Sequence, residues 1–161
     1  MTHITPAPEH IDLRRGIDHI GVGIVAVIHD GQGRILLMKR GQKARDEQGR
    51  WDVCGGAIEF GESIDDAVIR EVQEELRTKP LDVVFLSAYD AHREHQGAKT
   101  HWVQIVHAVR VDPAQVAIGE PHKIAAVDWF WPNNLPEPLH SQFFKSFMLA
   151  KDAGFLYVAA D

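Results

Sequence analysis

The chain has 161 residues, of which 45% are apolar and 25% charged, and a net charge of −6. This length suits one compact domain, and the composition is that of a folded chain rather than a disordered one. The negative charge argues against duplex nucleic acid as a partner, because binding to its phosphates requires a basic face. The one cysteine, Cys54, excludes an intrachain disulfide.

The beginning of the chain and its longest apolar segment bear on location. The opening MTHITPAPEH is polar and has no basic stretch leading into an apolar one, so it does not resemble a signal peptide. The longest apolar run, 24–28, is far shorter than the roughly 20 residues that span a bilayer. We therefore expect a cytoplasmic protein with no membrane contact, in which 1–18 is a tail or edge segment and 19–161 is a single domain.

The first half of the domain is predicted to be mainly β-structure. The segment 20–28 is short, β-branched and contains glycines, which suits a strand that lies close to another backbone. Turn residues at 29–33 predict that 34–40 returns as the next strand. A polar loop at 41–50 then leads into a short strand at 51–53.

The second half contains two predicted helices. A helix is expected at 63–77, where Ser63 can cap the start and Pro80 follows the end. The elements predicted after it are strands at 83–91, 101–111 and 124–131, the first two joined by a polar segment, and a helix at 137–153. Because helices separate groups of strands, the pattern favours an α/β (α+β) fold with a mixed sheet and helices on both sides.

The 63–77 helix carries a face of carboxylates. At about 100° per residue, Glu71, Glu74 and Glu75 share one face beside an apolar stripe. The stripe consists of Ile64, Val68, Val72 and Leu76. The positions predicted to point away from both faces are Arg70, Gln73 and Arg77.

This acidic face has two interpretations. It is either a solvated surface or a site in which a hard divalent cation offsets the repulsion between the carboxylates. Glu62 adds a fourth carboxylate just before the helix, and Gly55 and Gly56 bring bare backbone close to it. These neighbours favour a metal site.

The segment 56–78 resembles the Nudix box, Gly-x5-Glu-x7-Arg-Glu-aliphatic-x-Glu-Glu-x-Gly-aliphatic. The matching positions are Gly56, Glu62, Arg70, Glu71, Val72, Glu74 and Glu75. Arg77 and Thr78 depart from the pattern, which has glycine and an aliphatic residue there. A left-handed arginine would cost on the order of 1 kcal/mol, so we expect the turn after the helix to differ from the family's.

The resemblance implies an α/β/α sandwich with a mixed central sheet. It also implies hydrolysis of a nucleoside diphosphate linked to another group, with Mg²⁺ or Mn²⁺ as cofactor. In this reading Arg70 holds the carboxylates by ion pairing, and Glu71 orients or deprotonates water. The metal-binding positions that the resemblance implies are Gly55 (through its carbonyl), Glu62, Glu71, Glu74 and Glu75.

Residues outside the box have weaker assignments. Arg40 either contacts a substrate phosphate or is a solvated strand end, and Glu120 is either a metal ligand or base or a plain loop residue. The weaker candidates for phosphate contact are Lys39, Lys43 and Arg45. His92, His95 and His101 match no closed zinc site, so we expect them to be surface residues.

The substrate is predicted to be a (deoxy)nucleoside triphosphate, as in MutT-type members of the family, cleaved to the monophosphate and pyrophosphate. Only about 18 residues precede the first strand, which is short for the N-terminal β-domain of many ADP-ribose pyrophosphatases, and Glu94 and His95 stand where those enzymes often have proline. Hydrolysis of ADP-ribose or a nucleotide sugar stays open, as does an inactive nucleotide-binding domain. Assembly of the chain into a homodimer is a further possibility that the sequence leaves open.

Overall fold

The computed structural model describes residues 12–158, so residues 1–11 of the predicted N-terminal tail lie outside the described part. The chain forms a seven-stranded mixed sheet between two helices. The elements are β1 (Gly21–His29), β2 (Ile35–Arg40), β3 (Trp51–Asp52), β4 (Cys54–Ala57), α1 (Ile64–Leu76), β5 (Asp82–His95), β6 (Ala98–Arg110), a 3₁₀ turn (Pro113–Gln115), β7 (Ile124–Phe130) and α2 (Phe143–Asp152).

The apolar strand β1 lies at the centre of the sheet. It pairs in parallel with β6 along its whole length and antiparallel with β4 on its other edge. The predicted returning strand is confirmed as β2, antiparallel to β1, but the two strands pair only next to the turn, where His29 and Ile35 are partners. Since β4 occupies the rest of that edge, β2 diverges and pairs instead with β7. This leaves the Gly55-Gly56 backbone beside the Glu71 and Glu75 side chains of α1.

The two helices pack on separate hydrophobic clusters, as expected for a sandwich. Val68, Val72 and Leu76 of α1 are fully buried in one cluster. Phe143 and Phe147 of α2 are buried in the other. Within residues 12–158 no helix has both the length and the apolar character needed to cross a membrane.

Two apolar side chains of the helices lie at the surface. Ile64 begins the apolar stripe of α1 but is 42% exposed, at the first residue of the helix. Phe144 of α2 is 55% exposed. It follows the buried Phe143 directly, so it points about 100° away around the helix.

Both ends of α1 are capped. The Ser63 hydroxyl accepts a hydrogen bond from the Asp66 amide at 3.1 Å, as predicted for an N-cap. At the other end the expectation for Arg77 is wrong, because it adopts the left-handed conformation with φ 53° and ψ 24°. Its amide donates to the Gln73 carbonyl at 3.0 Å, and this cap offsets the backbone strain. The turn therefore has the left-handed conformation that favours glycine, although arginine occupies the position here.

The strands β5 and β6 are longer than predicted. The polar segment expected to join them is itself paired, with His92 opposite His101 and His95 opposite Ala98. The chain reverses at Gln96 and Gly97, both of which have positive φ (50° and 77°), as a two-residue hairpin turn requires. This hairpin extends past the core and forms one wall beside the carboxylate face.

The second helix starts later than predicted, at Phe143 rather than near 137. The intervening backbone pairs with β3 instead: the Trp51 amide donates to the Pro138 carbonyl at 2.9 Å, and the His140 amide donates to the Trp51 carbonyl at 2.8 Å. These bonds hold the segment extended and prevent an earlier helical turn. The predicted end near residue 153 is confirmed, because α2 ends at Asp152 and Gly154, with a φ of 83°, donates its amide to the Lys151 carbonyl.

Candidate active site

The carboxylate face of α1 opens onto a cleft of about 800 Å³. Its floor is the β1 and β4 backbone, and the β5–β6 hairpin and the 41–50 loop form further walls. Glu71, Glu74 and Glu75 all line the cleft. The structure therefore brings the three predicted carboxylates to one side of a single cavity.

Arg70 lies at the centre of this carboxylate group. Its guanidinium donates to both Glu62 oxygens at 2.7 and 3.0 Å, to Glu71 at 2.8 Å and to Glu74 at 3.2 Å. A further bond to the Ala57 carbonyl at 3.0 Å ties α1 to β4. The helical geometry that predicted Arg70 to point away is wrong, because its long side chain folds back over the acidic face. The ion pairing implied by the family resemblance is present.

Glu75 is held by the backbone of β4. The Gly55 amide donates to Glu75 at 3.2 Å, and the buried Cys54 thiol lies against the same carboxylate. Burial raises the pKa of Glu75 to about 8, with the nearby charge of Glu71 adding to the effect. Burial also raises the pKa of Glu71 and of Cys54. Negative charge in this group is therefore costly unless a cation accompanies it.

Glycine at position 56 leaves room for the Glu71 carboxylate. A Cβ at Gly56 would overlap this carboxylate, so a side chain there would displace Glu71 from its present position. The close approach of the β4 backbone to the acidic face of α1 therefore favours glycine at this position.

Glu120 is positioned by a loop that binds the end of α1. The Ala117 and Gly119 amides donate to the last carbonyls of α1, those of Leu76 and Glu75, at 3.0 and 2.9 Å. Glu120 follows directly and pairs with Lys123 at 2.8 Å. It is close enough to α1 for its charge to raise the pKa of Glu71. Glu120 thus joins the carboxylate group from a distant part of the sequence.

Arg40 lines the cleft but is already paired. Its guanidinium bonds to the Asp46 side chain and to the Asp46 carbonyl, the latter at 2.9 Å, and it lies 3.6 Å from Asp52. Burial raises the pKa of Asp52 to about 7. Sequence reasoning missed both aspartates, because neither belongs to a motif. The charge of Arg40 is therefore shared with two carboxylates.

A buried ionic group fixes the loop that carries Asp46. Arg93 of β5 donates to Glu47 at 2.8 Å and lies 3.0 Å from Asp46. Glu47 also accepts the Ser141 amide at 2.9 Å, next to His140, whose burial lowers its pKa to about 4. Asp46, Glu47 and Arg93 lie in segments predicted as polar connections, and His140 and Ser141 lie in a segment predicted as helix, so local sequence carries no signal of this pairing.

The weaker phosphate candidates Lys39, Lys43 and Arg45 also line the cleft. Within the part of the chain that the structure describes, none of the three forms an ion pair with a carboxylate. Arg45 instead lies over the Trp102 ring at 5.8 Å. The cleft thus has a carboxylate side and a cationic side.

The donor set of α1 fits a hard divalent cation. Its carboxylate oxygens are the ligands that Mg²⁺ and Mn²⁺ prefer. The raised pKa values of Glu71 and Glu75 show that the protein alone does not balance these charges. A bound dication would favour the ionised form of both groups.

Comparison with known proteins identifies the family. The NUDIX domain matches residues 19–150, most of the chain. The chain belongs to the Nudix family, whose members generally use divalent metals, and it is a pyrophosphohydrolase of that family.

Three relatives illustrate the similarity. An ADP-ribose pyrophosphatase of Methanocaldococcus jannaschii is 31% identical over 137 residues, which cover 83% of this chain and 76% of the relative. A CTP pyrophosphohydrolase of Escherichia coli is 40% identical over 55 residues, 34% of this chain and 40% of the relative. The crystal structure of a MutT Nudix hydrolase from Burkholderia pseudomallei superposes with a TM-score of 0.72 at 30% identity, covering 81% of this chain and 98% of the other.

Proposed function

We propose that this enzyme hydrolyses a (deoxy)nucleoside triphosphate to the monophosphate and pyrophosphate with Mg²⁺ or Mn²⁺. The observation that carries the proposal is the group of carboxylates around Arg70 at the edge of a nucleotide-sized cleft. Repulsion between these carboxylates would lower the stability of the folded protein. Divalent cations bound together with a polyphosphate would offset that repulsion.

The protein's part in the reaction is to position the carboxylates. Glu74 and Glu75 are the principal metal ligands in this proposal, assisted by the Gly55 carbonyl. Glu62 binds an outer metal ion. Arg70 fixes Glu62, Glu71 and Glu74 relative to one another through the bonds described above. Bound divalent metal would supply charge neutralisation of the phosphates and a lowered pKa of bound water.

The group that takes the proton from water is either Glu71 or Glu120. We favour Glu71, because it lies within the cleft and Arg70 orients it at 2.8 Å. Glu71→Gln should then lower kcat strongly, while Glu120→Gln leaves most of it. The reverse pattern would assign the base to Glu120, and small, equal effects would refute both assignments.

The triphosphate assignment is supported by the cationic side of the cleft. Lys39, Lys43 and Arg45 have no carboxylate partner among residues 12–158, so they are available to screen the charge of a polyphosphate. A triphosphate carries more negative charge than a diphosphate ester and gains more from these cations. Lys43→Gln should therefore raise KM for a triphosphate more than KM for ADP-ribose.

A second candidate is ADP-ribose hydrolysis to AMP and ribose phosphate. It is favoured by the M. jannaschii relative, which aligns over most of both chains and is named for this activity. The same carboxylate chemistry would serve, since both substrates contain a phosphoric anhydride.

The test is a comparison of kcat/KM on CTP, dCTP, dGTP, oxidised dGTP, ADP-ribose and a nucleotide sugar, with the products identified. Release of pyrophosphate with a preference for a triphosphate is the expected result. A preference for ADP-ribose would move the assignment to the second candidate. No magnesium-dependent turnover on any substrate would indicate a nucleotide-binding domain instead.

A further inference from the structure

A cluster of metal-binding side chains lies on the β5–β6 hairpin, away from the carboxylates of α1. Its members are Asp90, His92 and His101, and one potential ligand atom from each lies within 4.8 Å of the others. The side chains of Asp90 and His101 are 64% and 39% exposed, so a dissolved ion can reach them.

The pleat of the hairpin places this cluster on the face opposite the catalytic cleft. Side chains alternate between faces along a strand, and Ala91 of β5 lines the cleft. Asp90 and His92, on either side of it, point the other way, and His92 pairs directly with His101 of β6. Both histidines line a separate groove of about 700 Å³, as does His19.

The distances are close to those of ligands on one ion. The Asp90 carboxylate and His101 Nε2 are 2.9 Å apart. With metal–ligand bonds of about 2.0–2.1 Å, neighbouring ligand atoms lie roughly 2.9–3.4 Å apart in tetrahedral or octahedral geometry. The His92 ring meets the His101 ring edge-on, with centroids 4.3 Å apart. A ring nitrogen of His92 already lies within 4.8 Å of the other two ligand atoms.

We propose that Asp90, His92 and His101 form a second metal site, which binds Zn²⁺ or a similar transition metal ion. Two imidazoles and a carboxylate leave a fourth position open toward the groove, where water can complete the coordination. Mg²⁺ is a poor occupant because it prefers oxygen ligands. The hairpin and the α1 site thus select different metals.

Binding at this site would join β5 and β6 across one residue pair near the end of the hairpin. The nearby charge of Lys145 opposes a cation, while the ionised Asp90 favours it. Because the ligands come together only when the hairpin is paired, the ion should stabilise the folded protein. This inference does not depend on which substrate the α1 site hydrolyses.

The test is a calorimetric titration of the full-length protein with Zn²⁺ in excess Mg²⁺, which occupies the carboxylate site. We expect one zinc ion per chain, accompanied by a rise in Tm. His92→Gln and His101→Gln should each weaken binding at least about tenfold, since loss of even an outer-shell partner has that effect. Replacing Zn²⁺ with Cu²⁺ should give nitrogen couplings from two imidazoles in the electron paramagnetic resonance spectrum.

His95→Gln is the matched control, because His95 lies on the same strand but on the cleft face. It should keep the zinc affinity of the wild type. The proposal is overturned if no zinc binds in excess Mg²⁺, if binding survives in both His92→Gln and His101→Gln, or if His95→Gln loses it equally. Thermal melts of the metal-free variants separate loss of a ligand from loss of the fold.

Discussion

Replacing Arg70 with glutamine should destabilise the metal-free enzyme, and Mg²⁺ should restore part of the loss. Arg70 bonds most closely to Glu62, at 2.7 and 3.0 Å, and to the buried Glu71, at 2.8 Å, whereas its contact with the half-exposed Glu74 contributes little. A hydrogen bond to a buried charged group contributes about 1.5–3 kcal/mol, so we expect a loss of about 2 kcal/mol. At about 2–4 °C per kcal/mol for a chain of this size, Tm should fall roughly 4–8 °C.

The assay is thermal unfolding in EDTA and in millimolar Mg²⁺. Without Arg70 the carboxylates repel one another more strongly, so Mg²⁺ should raise Tm further in Arg70→Gln than in the wild type. Lys79→Gln is the matched control, because it removes the same charge from an exposed site just after α1. The reasoning is refuted if Arg70→Gln melts with the wild type in EDTA, or if Lys79→Gln loses as much.

Three further predictions follow from the site and its supports. Arg77→Gly should stabilise the protein by about 1 kcal/mol in urea unfolding, because glycine adopts φ 53° without strain; a loss would show that the Arg77 side chain matters more. Gly119→Val should cost about 1–3 kcal/mol and lower kcat, since a Cβ there overlaps the Glu74 carbonyl and displaces Glu120; unchanged kcat would separate Glu120 from catalysis. In EDTA, the contribution of Glu75 to stability should be full below its ordinary pKa of 4.5 and should be lost as the pH rises to about 8. In that range the native state keeps the proton on Glu75, whereas the unfolded state has lost it. Bound Mg²⁺ should make stability depend less on pH.

Local sequence was sufficient for α1 because its signals agree with one another. A capping serine, apolar residues at i, i+4 and a following proline all indicate the same helix, and the structure has it at Ile64–Leu76. The apolar run of β1 likewise predicted a buried strand. What it could not reveal was the partners, since pairing with β6 joins segments about 80 residues apart.

The errors come from contacts that local patterns do not encode. The start of α2 moved because residues near Pro138 pair with Trp51, far away in sequence. Arg70 was misplaced because helical angles locate its Cβ, whereas its long side chain can reach charges one turn away. The β5–β6 extension was missed because its exposed residues lack the alternation of a half-buried strand.

The candidate site also contains residues that local sequence predicts and residues that only the fold brings together. The carboxylates of α1 could be read from spacing because they lie on one helix. The Arg40–Asp46–Asp52 group and the Arg93–Glu47 contact are assembled from separate elements, so only the folded structure brings them together. Because Arg40, Asp46, Asp52 and Arg93 all line the cleft, this part of its lining was not accessible from local sequence.

The most direct test of the central claim is kcat/KM for Glu75→Gln against the wild type at saturating Mg²⁺, on the best triphosphate or ADP-ribose substrate. Loss of one group that stabilises charge in the transition state typically costs about 10²–10³ in rate, and we expect at least that loss here with the fold retained. Wild-type turnover should also vanish in excess EDTA. Full activity in EDTA, or a Glu75→Gln enzyme as active as the wild type, would contradict metal-dependent hydrolysis at the α1 carboxylates.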